Sequence, residues 1–247
     1  MCAILLRNLS FIIVSLMHNI APIGWIESPY KEKFAVPRQP RLVPAANARI
    51  RLDGELNCAE SVRGIEQFSH IWLLFLFDQN LAKGWKPTVR PPRLGGNERI
   101  GVFASRSTFR PNGIGMSAVQ LNGITQVGEQ HYIDVGSVDL VDGTPIIDIK
   151  PYIPYSDAIA SAQGGYADSE PLTLPVTFSE HAQLALHSLP ERQTIQKVIE
   201  QVLAQDPRPA YKKNKPDDKQ YAVNLYSLNV KFIVMDNFVR VTAIEPF

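Results

Sequence analysis

At 247 residues the chain is long enough for one large domain or two of unequal size. Its composition, 45% apolar and 20% charged, is that of an ordinary soluble globular protein, and a net charge of +1 excludes a partner selected by whole-molecule charge. Two cysteines, Cys2 and Cys58, exclude a disulfide framework and a four-ligand zinc site, and the scattered histidines show no metal-binding spacing, which suits a reducing cytoplasm.

The opening run, MCAILLRNLSFIIVSL, is apolar with Arg7 as its single charge. It is too short to span a bilayer and lacks both a charged leader and a cleavage site of small residues. We expect the natural start at Met17, with 1–18 an N-terminal extension; a signal peptide or an extra helix is the alternative. Ile23 to Ser28 reads as a short strand ended by Pro29. Prolines 37, 40 and 44 forbid a helix and stiffen the loop that follows, holding Arg38 and Gln39 between two of them. Ala48 to Leu52 alternates as a second strand, and Ala59 to Phe68 suits one or two helical turns. His70 to Phe77, HIWLLFLF, is an apolar, aromatic-rich run of strand length that belongs at the centre of a sheet. It stops at Asp78-Gln79-Asn80, polar residues that either face a pocket or form a plain turn.

Charge is then locally uneven. From Lys83 to Arg110 seven basic residues (Lys83, Lys86, Arg90, Arg93, Arg99, Arg106 and Arg110) face one acid, Glu98. From Asp134 to Glu170 seven acids face Lys150 alone. A basic segment in a neutral chain points to a focused anion site rather than a general nucleic-acid coat. Within it, GVFASRSTFRPNGIGMSAVQL (Gly101 to Leu121) opens with residues that suit a buried strand, Gly101 to Ala104. A polar loop with Arg106 and Arg110 follows, beside Pro111 and Gly113, either a rigid anion-binding loop or a solvated surface loop. Gly113, Gly115 and Ala118 match the spacing of a dinucleotide fingerprint, but no strand precedes them and SAVQLNGI alternates like a strand rather than a helix. That run ends in Asn122-Gly123, a turn signal.

Tyr132 to Val135, Ser137 to Leu140 and Ile146 to Tyr152 are predicted strands, with Asp142-Gly143-Thr144-Pro145 a turn between the last two. Short strands at this spacing indicate a β-barrel or sandwich. Between Pro154 and Pro175 the composition shifts to Ala, Ser, Gly and Asp, a linker. Glu180 to Leu189 and Glu191 to Gln205 have helical spacing, QDPRPAYKKNKPDDK is a charged loop, and Tyr221–Tyr226, Leu228–Met235 and Phe238–Ile244 form a meander. The C-terminal third is a small α+β unit.

The runs SPYKEKFAVPRQP, VRGIEQFSHIW, VRPPRLGGN, GVFASRSTFRPNGIGMS, VDLVDGTPIIDIKPY and AQDPRPAY together resemble the TrmO (TsaA-like) family of S-adenosylmethionine-dependent tRNA methyltransferases. The likeness extends from about Ile20 to the C-terminus, in long motifs that keep their order. It implies a mostly β protein: a single-sheeted antiparallel β-barrel over 19–155, a linker over 156–175 and an α+β domain over 176–247. It further implies a cytoplasmic homodimer, without metal or membrane, that methylates the exocyclic nitrogen of threonylcarbamoyladenosine beside the tRNA anticodon.

Carried over by motif, the cofactor would be held by Pro37, Arg38 and Gln39, by Asp78 and Gln79, by Arg106, and by Asp139, Leu140, Val141 and Asp142. Two positions depart from the family: Asp78 stands where His is frequent, and Arg41 stands where Gly is usual after PRQP. The cofactor's sulfonium is cationic and an aspartate beside it lowers its energy; Asp142 is the expected general base. Lys31, Lys33, Arg90, Arg93 and Arg110 are expected to meet the substrate's carboxylate and the anticodon-loop phosphates, and Arg208, Lys212, Lys213 and Lys215 either add tRNA contacts or form a soluble charged turn. A non-catalytic RNA-binding module and a methyltransferase for a small metabolite are the competing readings.

Overall fold

The structure is a computed structural model and describes residues 18–209, 212–213 and 217–247. The expected extension up to residue 17, and Lys215, lie outside the described residues. In chain order the elements are β1 (Gly24–Glu27), β2 (Asn47–Leu52), α1 (Ala59–Val62), β3 (His70–Leu76), α2 (Asp78–Leu81), β4 (Thr88–Val89), β5 (Ile100–Gly101), β6 (Ile114–Val127), β7 (Gln130–Gly136), β8 (Pro145–Pro151) and α3 (Pro154–Asp157). The C-terminal part adds β9 (Val176–Phe178), α4 (Glu180–His187), α5 (Arg192–Ala204), β10 (Asp217–Leu225), β11 (Leu228–Val234) and β12 (Val239–Pro246).

The larger sheet runs β1-β2-β7-β6-β3-β8 with every neighbour antiparallel, and it closes because β8 pairs back onto β1 through Gly24 with Ile146 and Trp25 with Pro145. Closure removes the free edges that a strand otherwise exposes. The apolar run at β3 is central, as its composition suggested, but its residues alternate: Ile71, Leu73 and Phe75 point inward and are buried, while their neighbours are half-exposed. Register places Ile71 opposite Val119, Leu73 opposite Ser117 and Phe75 opposite Gly115. Together with Ile26, Ile50, Ile133, Val135 and Ile146 they fill the interior.

The two glycines of the false fingerprint have separate causes. Gly113 adopts φ +62°, a conformation that suits glycine. Gly115 lies under the Phe75 ring, where a Cβ would come within 2.3 Å of Cε2.

Four expectations change. Gly101 to Ala104 is not a buried strand: β5 ends at Gly101 and Val102–Ala104 forms a 3-10 turn with Phe103 facing solvent. Asn122-Gly123 is no turn, because β6 continues through it with a register shift between Leu121 and Gly123, and the chain reverses at Gly128-Glu129 instead. Ser137 to Leu140 is loop, since Ser137 adopts φ 56° and leaves the strand path. Arg208 is neither solvated nor offered to RNA; it is buried and pairs with Asp206 at 2.8 Å.

The second sheet, β10-β11-β12-β9, contains the expected meander plus a parallel strand, β9, that three residues are too few to signal in sequence. α4 and α5 pack against it through Leu186, Val198, Val202 and Leu203. The two parts touch through the segment after β1 and through Ala45, whose N–H donates to Gln201 Oε1 at 2.9 Å. Tyr30 bridges to Leu225, Tyr226 N–H donates to Pro29 O at 2.7 Å, and Asn224 N–H donates to the Glu32 carboxylate at 2.8 Å. The segment 28–33 is therefore held from both sides.

Candidate active site

Loops from four parts of the chain converge at one end of the closed sheet. The first, residues 137–144, is fastened along its length: Ser137 N–H donates to Ala46 O, Asp142 N–H to Tyr30 O and Gly143 N–H to Ile26 O, at 2.7–2.8 Å. Ser28 Oγ donates to Leu140 O at 2.9 Å. Asp142 has both carboxylate oxygens engaged, one accepting from Ser28 N–H at 2.9 Å and the other paired with Lys31 Nζ at 2.7 Å. It clamps this loop to the segment after β1, and Lys31 is held in the same clamp.

Asp139 differs. One oxygen accepts from Ser117 Oγ at 2.7 Å, a hydroxyl that rises from the inner face of β6. Burial raises its pKa to about 6, against the pull of the Ser117 and backbone hydrogen bonds and of nearby Arg106. Tyr30 lies close by, fully buried, with its pKa pushed up by burial first and then by Tyr226 and Asp139. The Tyr30 hydroxyl and Ser137 Oγ have no hydrogen-bond partner among the described residues.

The second loop, Ser105 to Phe109, is shaped by its own serines: Ser107 N–H donates to Ser105 Oγ and Phe109 N–H to Ser107 Oγ, while Arg110 Nη1 donates to Ser105 O at 3.2 Å. Arg110 thereby braces the loop, and Arg106 reaches across to donate to Gln39 Oε1. That contact ties ASRS to PRQ, the Arg41 N–H to Ser137 O hydrogen bond joins the PRQ loop to residues 137–144, and the charge of Arg106 acts on Asp139. In the third loop Pro37 is buried and Arg38 exposed. The Arg38 pKa is lowered by burial of its inner part and by the charge of Arg93, with Asp206 opposing; a guanidinium stays charged regardless. Arg93 also donates to Ser169 O. Arg41, at the position where the family carries Gly, adopts φ 71° and donates its N–H to Ser137 O at 3.0 Å. The departure from glycine is thus made at a left-handed backbone.

The fourth piece is α2. Asp78 and Gln79 are exposed, whereas Asn80 is buried and accepts from Lys33 Nζ at 2.7 Å. Lys33 has its pKa lowered by burial and by Lys83, with Asp78 opposing. Arg90 stands exposed beside β4 and makes none of these contacts. The structure therefore brings together PRQ, ASRS, Asp139–Asp142 and the SPYKEK segment, with Asp78–Asn80 at the margin. Ser117, Tyr30 and Ser28 also line this end of the sheet, and the sequence does not single them out as site candidates. Ser117 signalled itself only as a hydroxyl on the inward face of a strand, which register alone reveals. Hollows of about 380 and 360 Å³ open elsewhere, the first at Leu189–Thr194 and the second beside Phe34 and Tyr221.

These residues fit S-adenosylmethionine. Asp139 is a half-buried carboxylate for a cationic group, and Arg38, Gln39 and Arg106 offer guanidinium and amide groups for its carboxylate and polar edges. Among the described residues no cluster of His, Cys, Asp or Glu suits a metal ion, and no helix is long and apolar enough to cross a membrane.

Sequence models of the tRNA-methyltransferase O N-terminal domain and the TrmO C-terminal domain match residues 25–158 and 171–247. The chain is similar to the tRNA (adenine(37)-N6)-methyltransferase of Escherichia coli K12, 51% identical over 226 residues, covering 91% of this chain and 96% of that one. It is also similar to the putative S-adenosylmethionine-dependent methyltransferase RcsF of Pseudomonas aeruginosa, 49% identical over 86% of this chain and 91% of that one. The crystal structure of TrmO from Pseudomonas aeruginosa superimposes with a TM-score of 0.78 at 40% identity, covering 93% of this chain and 99% of that one.

Proposed function

The chain belongs to the TrmO family, and from that premise we propose that it methylates the exocyclic nitrogen of the adenosine beside the tRNA anticodon, in its threonylcarbamoyl form. The closed sheet serves as the barrel scaffold for the rim loops. When bound, S-adenosylmethionine supplies an activated methyl group on a cationic sulfur. The protein's task is alignment and charge: Gln39 and Arg106 fix the donor's polar edges, and Asp139 lies near them as the counter-charge.

The observation that carries this reading is Asp139, a half-buried carboxylate with a pKa of about 6, hydrogen-bonded to Ser117 and attracted by Arg106. At neutral pH it is mostly ionised yet still basic enough to take the proton that the substrate nitrogen must shed, a condition suited to general-base catalysis worth roughly 10²–10⁴-fold. We assign that role to Asp139 in place of Asp142, whose oxygens are already paired. Arg38 and Arg93, which crowd each other, are placed to receive the threonyl carboxylate or a phosphate, one anion relieving two like charges.

The outer face of β3 and β6 sets Leu74 beside Met116 and Leu76 beside Ile114, with Met116 55% exposed, and this apolar strip supports a homodimer. A tRNA substrate supports a cytoplasmic location. The test is transfer of labelled methyl groups to tRNA with and without the threonylcarbamoyl group, alongside calorimetry with S-adenosylmethionine. Methylation of the modified tRNA alone is expected. Cofactor binding with label entering neither tRNA would refute the assignment.

A further inference from the structure

The basic segment carries two rings that the site leaves unused. Phe103 exposes 81% of its surface and Trp85 55%. The small β4–β5 ladder pairs Thr88 with Gly101 and Val89 with Ile100, and Val102 N–H continues it by donating to Pro87 O at 3.0 Å. The turn that presents Phe103 therefore runs alongside the segment that presents Trp85 and Lys86. The other two tryptophans are engaged: Arg51 lies over Trp25, and Trp72 Nε1 donates to Asp157.

On this ladder and the segment leading into it Lys83, Lys86, Arg90 and Arg99 are exposed and none pairs with a carboxylate among the described residues, Lys86 Nζ lying 5.7 Å from the centre of the Phe109 ring. Outward aromatic rings on a segment whose cations lack carboxylate partners do not suit an apolar protein face, because those charges would have to be desolvated without counter-charges. They suit unpaired nucleotides, whose bases stack on rings while their phosphates meet lysine and arginine. The ladder leads directly into Ser105 and Arg106, so a strand held there would enter the site beside Gln39.

We propose that Trp85 and Phe103 form a stacking platform for the unpaired nucleotides of the RNA substrate, which the neighbouring lysines and arginines hold by its phosphates. The proposal rests on the tRNA-methyltransferase reading above. It is tested with the full chain, measuring binding of an RNA hairpin carrying an anticodon loop and of the same RNA annealed to its complement. Trp85→Ala and Phe103→Ala should each weaken hairpin binding roughly 5- to 150-fold, the effect of losing one stacked base, and leave duplex binding unchanged. Phe103→Tyr should restore it, and Lys86→Ala should flatten the salt dependence by about one phosphate contact. Because both rings are exposed, cofactor affinity and thermal unfolding should stay at wild-type values.

Variants that bind the hairpin as tightly as wild type would overturn the platform. So would variants that keep RNA affinity but sediment as monomers where wild type is a dimer, since the rings would then be a subunit contact. A wild-type protein that binds S-adenosylmethionine but no RNA would instead overturn the functional reading, and the platform with it.

Discussion

Replacing Asp139 with asparagine should make the protein more stable and nearly inactive. The carboxylate is nearly isosteric with the amide, so packing and the Ser117 contact survive while the charge goes. In the folded protein the pKa rises from an ordinary value near 3.8 to about 6. The native state therefore binds this proton more tightly than the unfolded chain does. Folded stability is unaffected by Asp139 below about pH 4, falls as pH rises from about 4 to about 6, and stays reduced above that. At 1.36 kcal/mol per pH unit the full penalty is about 3 kcal/mol, and residual exposure screens it to about 1–3 kcal/mol. For a chain of this size that corresponds to a gain of roughly 3–10 °C in Tm near pH 7.5. Thermal unfolding of both proteins at pH 4 and pH 7.5, beside single-turnover methyl transfer, measures the two effects together. Activity should fall roughly 10²–10⁴-fold. An Asp139→Asn protein that is less stable at pH 7.5 than wild type would show instead that Asp139 is a stabilising ion-pair partner rather than a carboxylate held charged at a cost.

Ser117→Ala removes a hydrogen bond that favours the ionised form of Asp139, so the acid limb of the rate profile should move to higher pH, read from kcat/KM against pH. Asp142→Asn should keep much more activity than Asp139→Asn, costing stability by about 1 kcal/mol through the half-exposed Lys31 pair, as denaturant titration would show. Gly115→Ala forces a methyl group against the Phe75 ring and should destabilise by about 1–3 kcal/mol, visible as a lowered denaturant midpoint. Arg41→Gly relieves a left-handed residue worth about 1–2 kcal/mol while adding roughly 0.5–1 kcal/mol of unfolded-chain entropy, so calorimetry should find a gain of up to about 1.5 kcal/mol.

How much of this was legible beforehand depended on the range of the interaction. Strands such as β3 and β8 and helices α4 and α5 announce themselves through local periodicity, and their bounds fell within a few residues of expectation. The meander of β10–β12 did so as well. The segment Gly101–Ala104 misled because small apolar residues suit a strand or a tight turn equally, and only pairing with residues 87–89 selected the turn. Asn122-Gly123 carries a local turn preference that the long pairing of β6 with β7 overrides, absorbing it as a bulge. The site loops were visible as motifs, yet the division of labour we propose for them was not. Asp139 and Asp142 lie three residues apart in one acidic run, and nothing local distinguishes them. The distinction comes from Lys31 and Ser28 on one side and Ser117 on the other, all contacts across more than twenty residues of chain. Arg208 was misread for the same reason: a charged residue among charged neighbours looks solvated until its partner and its burial are known.

The most direct test is mass spectrometry of tRNA nucleosides from cells lacking this gene, complemented with wild-type protein or with Asp139→Asn. N6-methylated threonylcarbamoyladenosine should disappear on deletion, return with the wild type and stay absent with the variant, while unmethylated threonylcarbamoyladenosine accumulates. Full methylation restored by Asp139→Asn, or methylation that persists in the deletion strain, would contradict that expectation.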